Sequence, residues 1–360
     1  MKLATALGSA VVALALSQPA TSRPAPGLTG PQASEPVTLY RTLRGDTLDG
    51  LAVRYLTGRG DVAVVARLSG ITNPDRVPVG ALLRIPDRLL KSTPMTLTAI
   101  AVTGAVVRAG AAGPAEPLSK GDLVSEGDRI ATGANAFATL AKPDGSRITL
   151  PSHTVLRVAV LRRVVLGDAA AASLVVDSGR AELAVKPLQP ADRFEIRTPG
   201  SVAAVRGTEF RVAYDTDRSV STLEVLHGGV GESATETGPS ADIVTGQASQ
   251  RPLGGERAIT PLPPAPTFAP PDAEADFPAV TFRIADPRPG WSYHVLLARD
   301  PAFTDPLAEV TTADGAARFD GLPLAPFSAK VTAIDENGVE GFPMTYLVER
   351  PPPPGSASGG

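Results

Sequence analysis

The feature that most constrains this chain is apolar–polar alternation, interrupted by glycine turns, between residues 194 and 230. Phe194 and Ile196 alternate with Glu195 and Arg197; Phe210, Val212 and Tyr214 alternate with Glu209, Arg211 and Ala213. A period of two marks half-buried strands, because successive side chains point to opposite faces of the backbone. Thr198-Pro199-Gly200 breaks the first strand, and Arg206-Gly207-Thr208 turns the chain before the next. Leu223 and Val225 then carry the pattern to Gly228-Gly229. Small residues at the breaks suit close backbone approach, with positive φ or close approach expected at Gly207. The stretch predicts a β meander and holds no nucleophile–base pair and no metal-ligand spacing.

These pieces also resemble the core of the FecR family of bacterial envelope proteins. The matching residues are Ile196 to Pro199, Val205 to Phe210, Asp215 to Asp217, and Leu223 to Val230. The Arg206-Gly207-Thr208-Glu209-Phe210 segment is the centre of the likeness. Arg206 and Glu209 read either as a recognition surface or as charges that pair or cap a tight turn at a solvated rim. Further upstream, Gly127-Asp128-x-Ile130 and Asp144-Gly145-Ser146-x-Ile148-x-Leu150 extend the resemblance, and Pro143 to Ser146 reads as a hairpin turn. Residues 94–250 are expected to form one antiparallel β domain, either a sandwich or a short β-roll.

The 360 residues allow two to four domains. With 35 glycines, 36 prolines and few aromatics, many short strands and turns are favoured over helical bundles. The expected fold class is therefore mainly β and multidomain. A net charge of −3 with no basic stripe gives no case for a nucleic-acid partner. The absence of cysteine removes disulfides, thiolate metal sites, cysteine nucleophiles and a lipid-modified N-terminal cysteine.

Residues 1–22 have the layout of a secretory signal peptide: Lys2, an apolar run from Leu3 to Leu16, and small residues at Ala20-Thr21-Ser22. Cleavage is expected after Ser22 or Ala20, leaving no stable membrane span. Residues 23–36 and 351–360 are expected to be a disordered lead-in and tail.

Between residues 37 and 90 the texture changes to strand, helix, helix, strand. Leu39 to Leu43 is strand-like, Asp46 or Thr47 can cap a helix bearing Leu48, Leu51, Ala52 and Tyr55, and Asp61 to Ser69 suits a second helix. Asn73-Pro74-Asp75 forms a turn, and Ala81 to Ile85 closes the unit. With Tyr40, Gly45-Asp46-Thr47-Leu48, Tyr55, Ile71, Asn73-Pro74, Val77, Gly80 and Ile85-Pro86 in order, it resembles a LysM module. Ser69 stands where that family usually has asparagine. The resemblance implies binding of peptidoglycan, a glycan containing N-acetylglucosamine, between two loops. The implied contact residues are Gly45, Asp46, Thr47, Leu48, Ile71, Asn73, Pro74, Asp75 and Val77. The Arg-Gly-Asp triplets at 44–46 and 59–61 read as turn and cap residues rather than adhesion motifs.

Pro-rich residues 251–276 are expected to form an exposed linker. Beyond it, residues 277–350 show short strands around Trp291, and resemble a fibronectin type III-like module through Phe282, Trp291-x-Tyr293-x-Val295 and Ala329-x-Val331-x-Ala333.

No catalytic constellation emerges. His153, His227 and His294 fall in separate β segments without metal-ligand spacing. Asp144, Asp177, Asp215 and Asp217 read as turn residues, and no glycine-rich phosphate loop precedes a helix. The expectation is a non-enzyme with no cofactor and no metal, exported to the periplasm or cell envelope. It binds peptidoglycan through residues 37–90 and uses its β domains as scaffold or for an envelope protein partner. The alternative is a FecR-type sensor in transporter and sigma-factor signalling.

Overall fold

The computed structural model describes residues 37–349, apart from 112, 236–237, 270–278 and 324. The expected signal peptide, lead-in, tail and the 270–276 part of the linker lie outside the described residues. No helix among the described residues is long and apolar enough to cross a membrane.

The chain begins with β1 (Val37–Arg41), α1 (Leu48–Tyr55), α2 (Asp61–Leu68) and β2 (Leu82–Pro86), with β1 and β2 antiparallel. Thr47 is the N-cap of α1: its backbone is extended, and its Oγ1 accepts from Gly50 N at 3.1 Å. The helices bury Leu48, Leu51, Val65 and Ala66 against Leu83 and Ile85. Val164 and Leu166, from the neighbouring domain, complete the same apolar cluster. Ser69 Oγ accepts from Arg84 N at 2.9 Å and so ties the end of α2 to β2.

Among the described residues, eighteen strands between Ser92 and Pro261 roll into a barrel-like domain of two sheets that share one strand, Ala169–Ala184. The shapes expected for the region are an antiparallel sandwich or a short β-roll, and the strand Ala169–Ala184 shows how the two sheets are joined. Its first half pairs with Val155–Val164 and with Arg193–Thr198; its second half pairs with Arg147–Leu150 and Glu209–Asp215. The pairing with Arg193–Thr198 is parallel. A parallel pair needs a long crossover, and the second half of this strand serves as that crossover. It therefore belongs to both walls and joins them. At the changeover, Gly179 has φ +78°, and a Cβ there would lie 2.5 Å from His153 O. Only glycine lets the strand pass that point. Leu97, Ile130, Leu140, Leu156, Ile196 and Phe210 fill the interior.

The segment expected to start the linker is corrected by the fold. Gln247–Pro252 and Ala258–Pro261 are paired barrel strands, and Leu262 is buried. Ala258–Pro261 pairs with Gln247–Gln250 and carries its proline at its last residue, where a missing N–H is tolerated, so the proline count did not exclude a strand here. Pro263 O then accepts from Phe342 N at 3.0 Å, so the segment lies against the C-terminal domain.

That domain is two packed sheets. One contains Phe268–Ala269, Val280–Ile284 and Ala316–Phe319; the other contains Ser292–Ala298, Pro306–Thr312, Phe327–Ile334 and Met344–Val348. Phe282 and Phe319 meet edge to face, with ring centroids 5.9 Å apart.

Candidate functional site

The residues implied as glycan contacts divide into two groups. Asp46, Thr47 and Leu48 are committed to the fold. The Asp46 carboxylate accepts from Leu43 N at 2.7 Å and Tyr40 Oη at 2.8 Å, and pairs with Arg54 at 3.0 Å. The Leu43 N–H, then Tyr40 and Arg54, hold its carboxyl below the usual range against the effect of burial. Tyr40 is pushed up to about 12, by burial and then by Asp46. Leu48 is 2% exposed and cannot lie against a sugar face, which corrects its assigned role. Gly45, Asn73, Pro74 and Asp75 are exposed; Ile71 and Val77 are half-buried against the module's core. Asn73 Oδ1 accepts from Asp75 N at 3.0 Å, closing the second loop as a turn.

The Arg206–Phe210 segment divides similarly. Phe210 and Thr208 are buried, and Thr208 Oγ1 donates to Gly229 O at 2.9 Å. Gly207 has φ +100°, and a Cβ would meet Pro187 Cα at 2.9 Å, so the expected backbone reason for glycine is present. Arg206 and Glu209 stand exposed at the rim. Glu209 faces His227 Nδ1 at 3.2 Å, and both are well solvated.

A site absent from the sequence reading lies where the barrel meets the C-terminal sandwich. Arg211, on the face of its strand read as solvated, is 3% exposed. Its Nη1 lies 2.7 Å from Glu340 Oε1 and its Nε 3.1 Å from Glu224 Oε2. Arg180 also pairs with Glu340. Glu340 N donates to Glu224 Oε1 at 2.7 Å, and Lys330 Nζ reaches Glu182 Oε2 at 2.6 Å. His294 stands between two carboxylates, with Nε2 at 3.0 Å from Glu309 Oε2 and Nδ1 at 3.3 Å from Glu340 Oε1. A neutral imidazole carries one N–H, so it donates to only one of them.

Charge balance explains the shifts. Arg180, Arg211 and Lys330 oppose Glu182, Glu224, Glu309 and Glu340. Burial works against the charge of Glu182, but Lys330 and Arg211 prevail and bring it to about 2. Burial pushes the Glu224 carboxyl up and the Arg211 guanidinium down. Burial also pushes His294 below its ordinary value, against the pull of Glu309. The cluster opens on a cleft of about 340 Å³ whose lining includes His153, Arg180, Asp215, His294 and Glu309. Two histidines far apart in sequence thus share one cleft.

The chemistry available there is ionic rather than nucleophilic. Ser152 Oγ is buried without a partner, and both His294 nitrogens face carboxylates instead of that hydroxyl. Among the described residues, no three of His, Cys, Asp and Glu are placed to hold a metal ion. Asp144 and Asp217 occupy turns as expected, and Asp144 Oδ1 accepts from Ser146 N; Asp215 ends the strand Glu209–Asp215, and its Oδ1 accepts from Asp217 N. Asp177 instead lies within the strand Ala169–Ala184 and pairs with Arg157 at 3.0 Å. Cross-strand pairing, which local turn propensity does not encode, placed it there.

The FecR protein family matches residues 128–231. That span runs through the barrel from the strand Arg129–Thr132 to Gly229–Ser233 and includes Arg206 to Phe210. No curated protein matches the chain. Two crystal structures of a candidate anti-sigma factor from Parabacteroides distasonis ATCC 8503 are similar to it at 18% identity. Each alignment covers 37% of this chain and 59% of the solved one, with TM-scores of 0.31 and 0.30. A likeness that slight does not bear on function.

Proposed function

We propose that this protein is a non-catalytic regulator of the FecR type, exported to the cell envelope, which responds to an envelope partner and acts in transporter and sigma-factor signalling. The observation that supports this reading is the FecR match over residues 128–231, which falls on the barrel and leaves Arg206 and Glu209 at an exposed rim. Deleting the gene should change transcript levels across one sigma-factor regulon, and reintroducing the full chain should restore them. An unchanged transcript profile would overturn the regulatory reading.

A second role, attachment to peptidoglycan, draws support from the strand–helix–helix–strand unit with its paired β1 and β2. Gly45, Thr47, Asn73, Pro74 and Asp75 are the implied contact residues that stand exposed for a glycan. A single shallow site of this kind gives weak binding, on the order of micromolar to millimolar Kd. The full chain should be retained on purified sacculi and released by chitin oligomers; passage through without retention would remove this role.

A further inference from the structure

The seam between the N-terminal module and the barrel opens into a cleft of about 410 Å³. One wall is Val37, Thr38 and Leu39, three consecutive residues of β1. Side chains of neighbouring strand residues point to opposite faces, so three in a row line one cavity only when the strand presents its edge. Among the described residues, β1 pairs with β2 alone.

The direction of the backbone groups follows from register. Thr42 N donates to Ala81 O, and Thr42 O accepts from Gly80 N, both at 2.9 Å. Groups bonded toward the partner strand alternate with groups pointing away. Thr42, Tyr40 and Thr38 therefore face β2, while Val37 and Leu39 turn their N–H and C=O to the cleft. Two facts agree: Val37 lies opposite Pro86, which has no N–H, and Val37 O accepts from Arg193 Nη2 at 3.4 Å. Leu39 keeps both groups for an incoming strand, and it is 54% exposed.

The opposite wall carries Ala169–Ala171, Asp192, Arg193 and Arg206. Its acids are already engaged. Asp87 accepts from Thr38 Oγ1 at 2.7 Å and pairs with Arg193; Asp192 accepts from Ala170 N at 2.8 Å and Gln189 N at 3.2 Å. Arg206 is exposed and has no hydrogen-bond or ion-pair partner among the described residues. Among the described residues, the cleft thus combines a strand edge that no other strand occupies with one uncommitted positive charge.

We propose that this cleft docks an extended acidic segment of a partner protein, which adds beside β1 at Leu39 and sets a carboxylate against Arg206. The proposal rests on the reading of the chain as a partner-binding regulator and identifies the surface it uses. Main-chain bonds supply affinity in such strand addition, and the charge selects the partner.

A fluorescein-labelled peptide of alternating threonine and glutamate, and its threonine–lysine counterpart, are titrated against the full chain by anisotropy. The glutamate peptide should bind and the lysine peptide should not. Arg206→Glu should weaken the glutamate peptide at least about tenfold and transfer binding to the lysine peptide. Leu39→Pro removes one donor of the edge and should also weaken the glutamate peptide. A glutamate peptide N-methylated at alternate residues tests the same bonds without altering the protein, and it should bind at least about tenfold more weakly. Equal binding of both charge types, indifference to Arg206→Glu, or full binding of the N-methylated peptide overturns the proposal. The last outcome identifies a general polyanion site. A regulon response that persists in Arg206→Glu cells also overturns this site, while leaving the regulatory reading standing.

Discussion

The barrel is held at two seams built on different physics. Toward the N-terminal module, Val164 and Leu166 enter an apolar cluster with Leu89 and Leu90, and the Arg193–Asp87 ion pair sits at a partly solvated rim. Toward the C-terminal sandwich, an ionic core is buried: Arg211 and Glu340 side chains are 4% and 2% exposed. A small apolar patch of Leu226, Ala248, Leu262 and Val339 adjoins it. Apolar burial is non-directional and indifferent to pH, so the first seam tolerates small shifts. Buried ions must be paired in exact geometry to offset their desolvation, so the second seam fixes one orientation and carries a pH dependence.

The largest effect should come from breaking the ionic seam. Glu340→Ala leaves Arg211, Arg180 and His294 facing an empty position and should cost about 3–5 kcal/mol. Urea unfolding of the full chain should show the Trp291 fluorescence transition, which reports the sandwich, at lower urea than the far-UV circular dichroism transition of the whole chain. A loss below about 1 kcal/mol would show that the ions do not hold the domains together. Next in size, Leu166→Ala should cost about 2–4 kcal/mol through lost burial and a residual cavity. That loss should be the same at low and high salt, and a salt-dependent loss would erase the contrast between the seams.

Acid should separate the seams by about 1–2 kcal/mol between pH 7 and 4. The sign follows from the native shifts. His294 titrates below its ordinary 6.5 in the folded protein, so below that pH the unfolded chain takes the proton first and stability falls. Glu182, at about 2 against an ordinary 4.5, adds a further loss as pH drops below 4.5. Glu224, raised by burial, opposes this once it protonates. Hydrogen exchange should show earlier loss of protection in Ser292–Ala298 than in β1 and β2; simultaneous loss would count against the ionic seam as the pH-sensitive one. Arg193→Ala should have the smallest effect, at most about 1 kcal/mol, because its ion pair is partly solvated and screened. A thermal melt at low ionic strength is the sensitive measurement, and a drop equal to that of Leu166→Ala would move the weight of this seam from apolar contact to charge.

Local features of the sequence were enough to specify the strands around Phe194–Tyr214, the positive-φ turn at Gly207, the Thr47 cap and the order of elements in residues 37–90. Each depends on residues within a few positions: alternation, a missing Cβ, or a hydroxyl close to an open N–H. The family resemblance at Arg206–Phe210 was legible for the same reason. What tertiary structure alone decided was pairing at a distance. Alternation shows which face of a strand is apolar, but it does not say in which direction a neighbour runs, so the parallel pairing of Ala171–Val175 with Arg193–Arg197 and the strand shared by the two sheets stayed hidden. Nor does it say what covers the polar face. Arg211, Glu224 and Lys330 follow the pattern of solvated strand residues, and they become a buried ionic core only because a second domain lies on them. Leu48 shows the converse: it stands in the motif expected to meet a sugar, yet helix packing buries it. Burial is a property of what comes to lie above a residue, and that is settled by contacts between residues far apart in the chain.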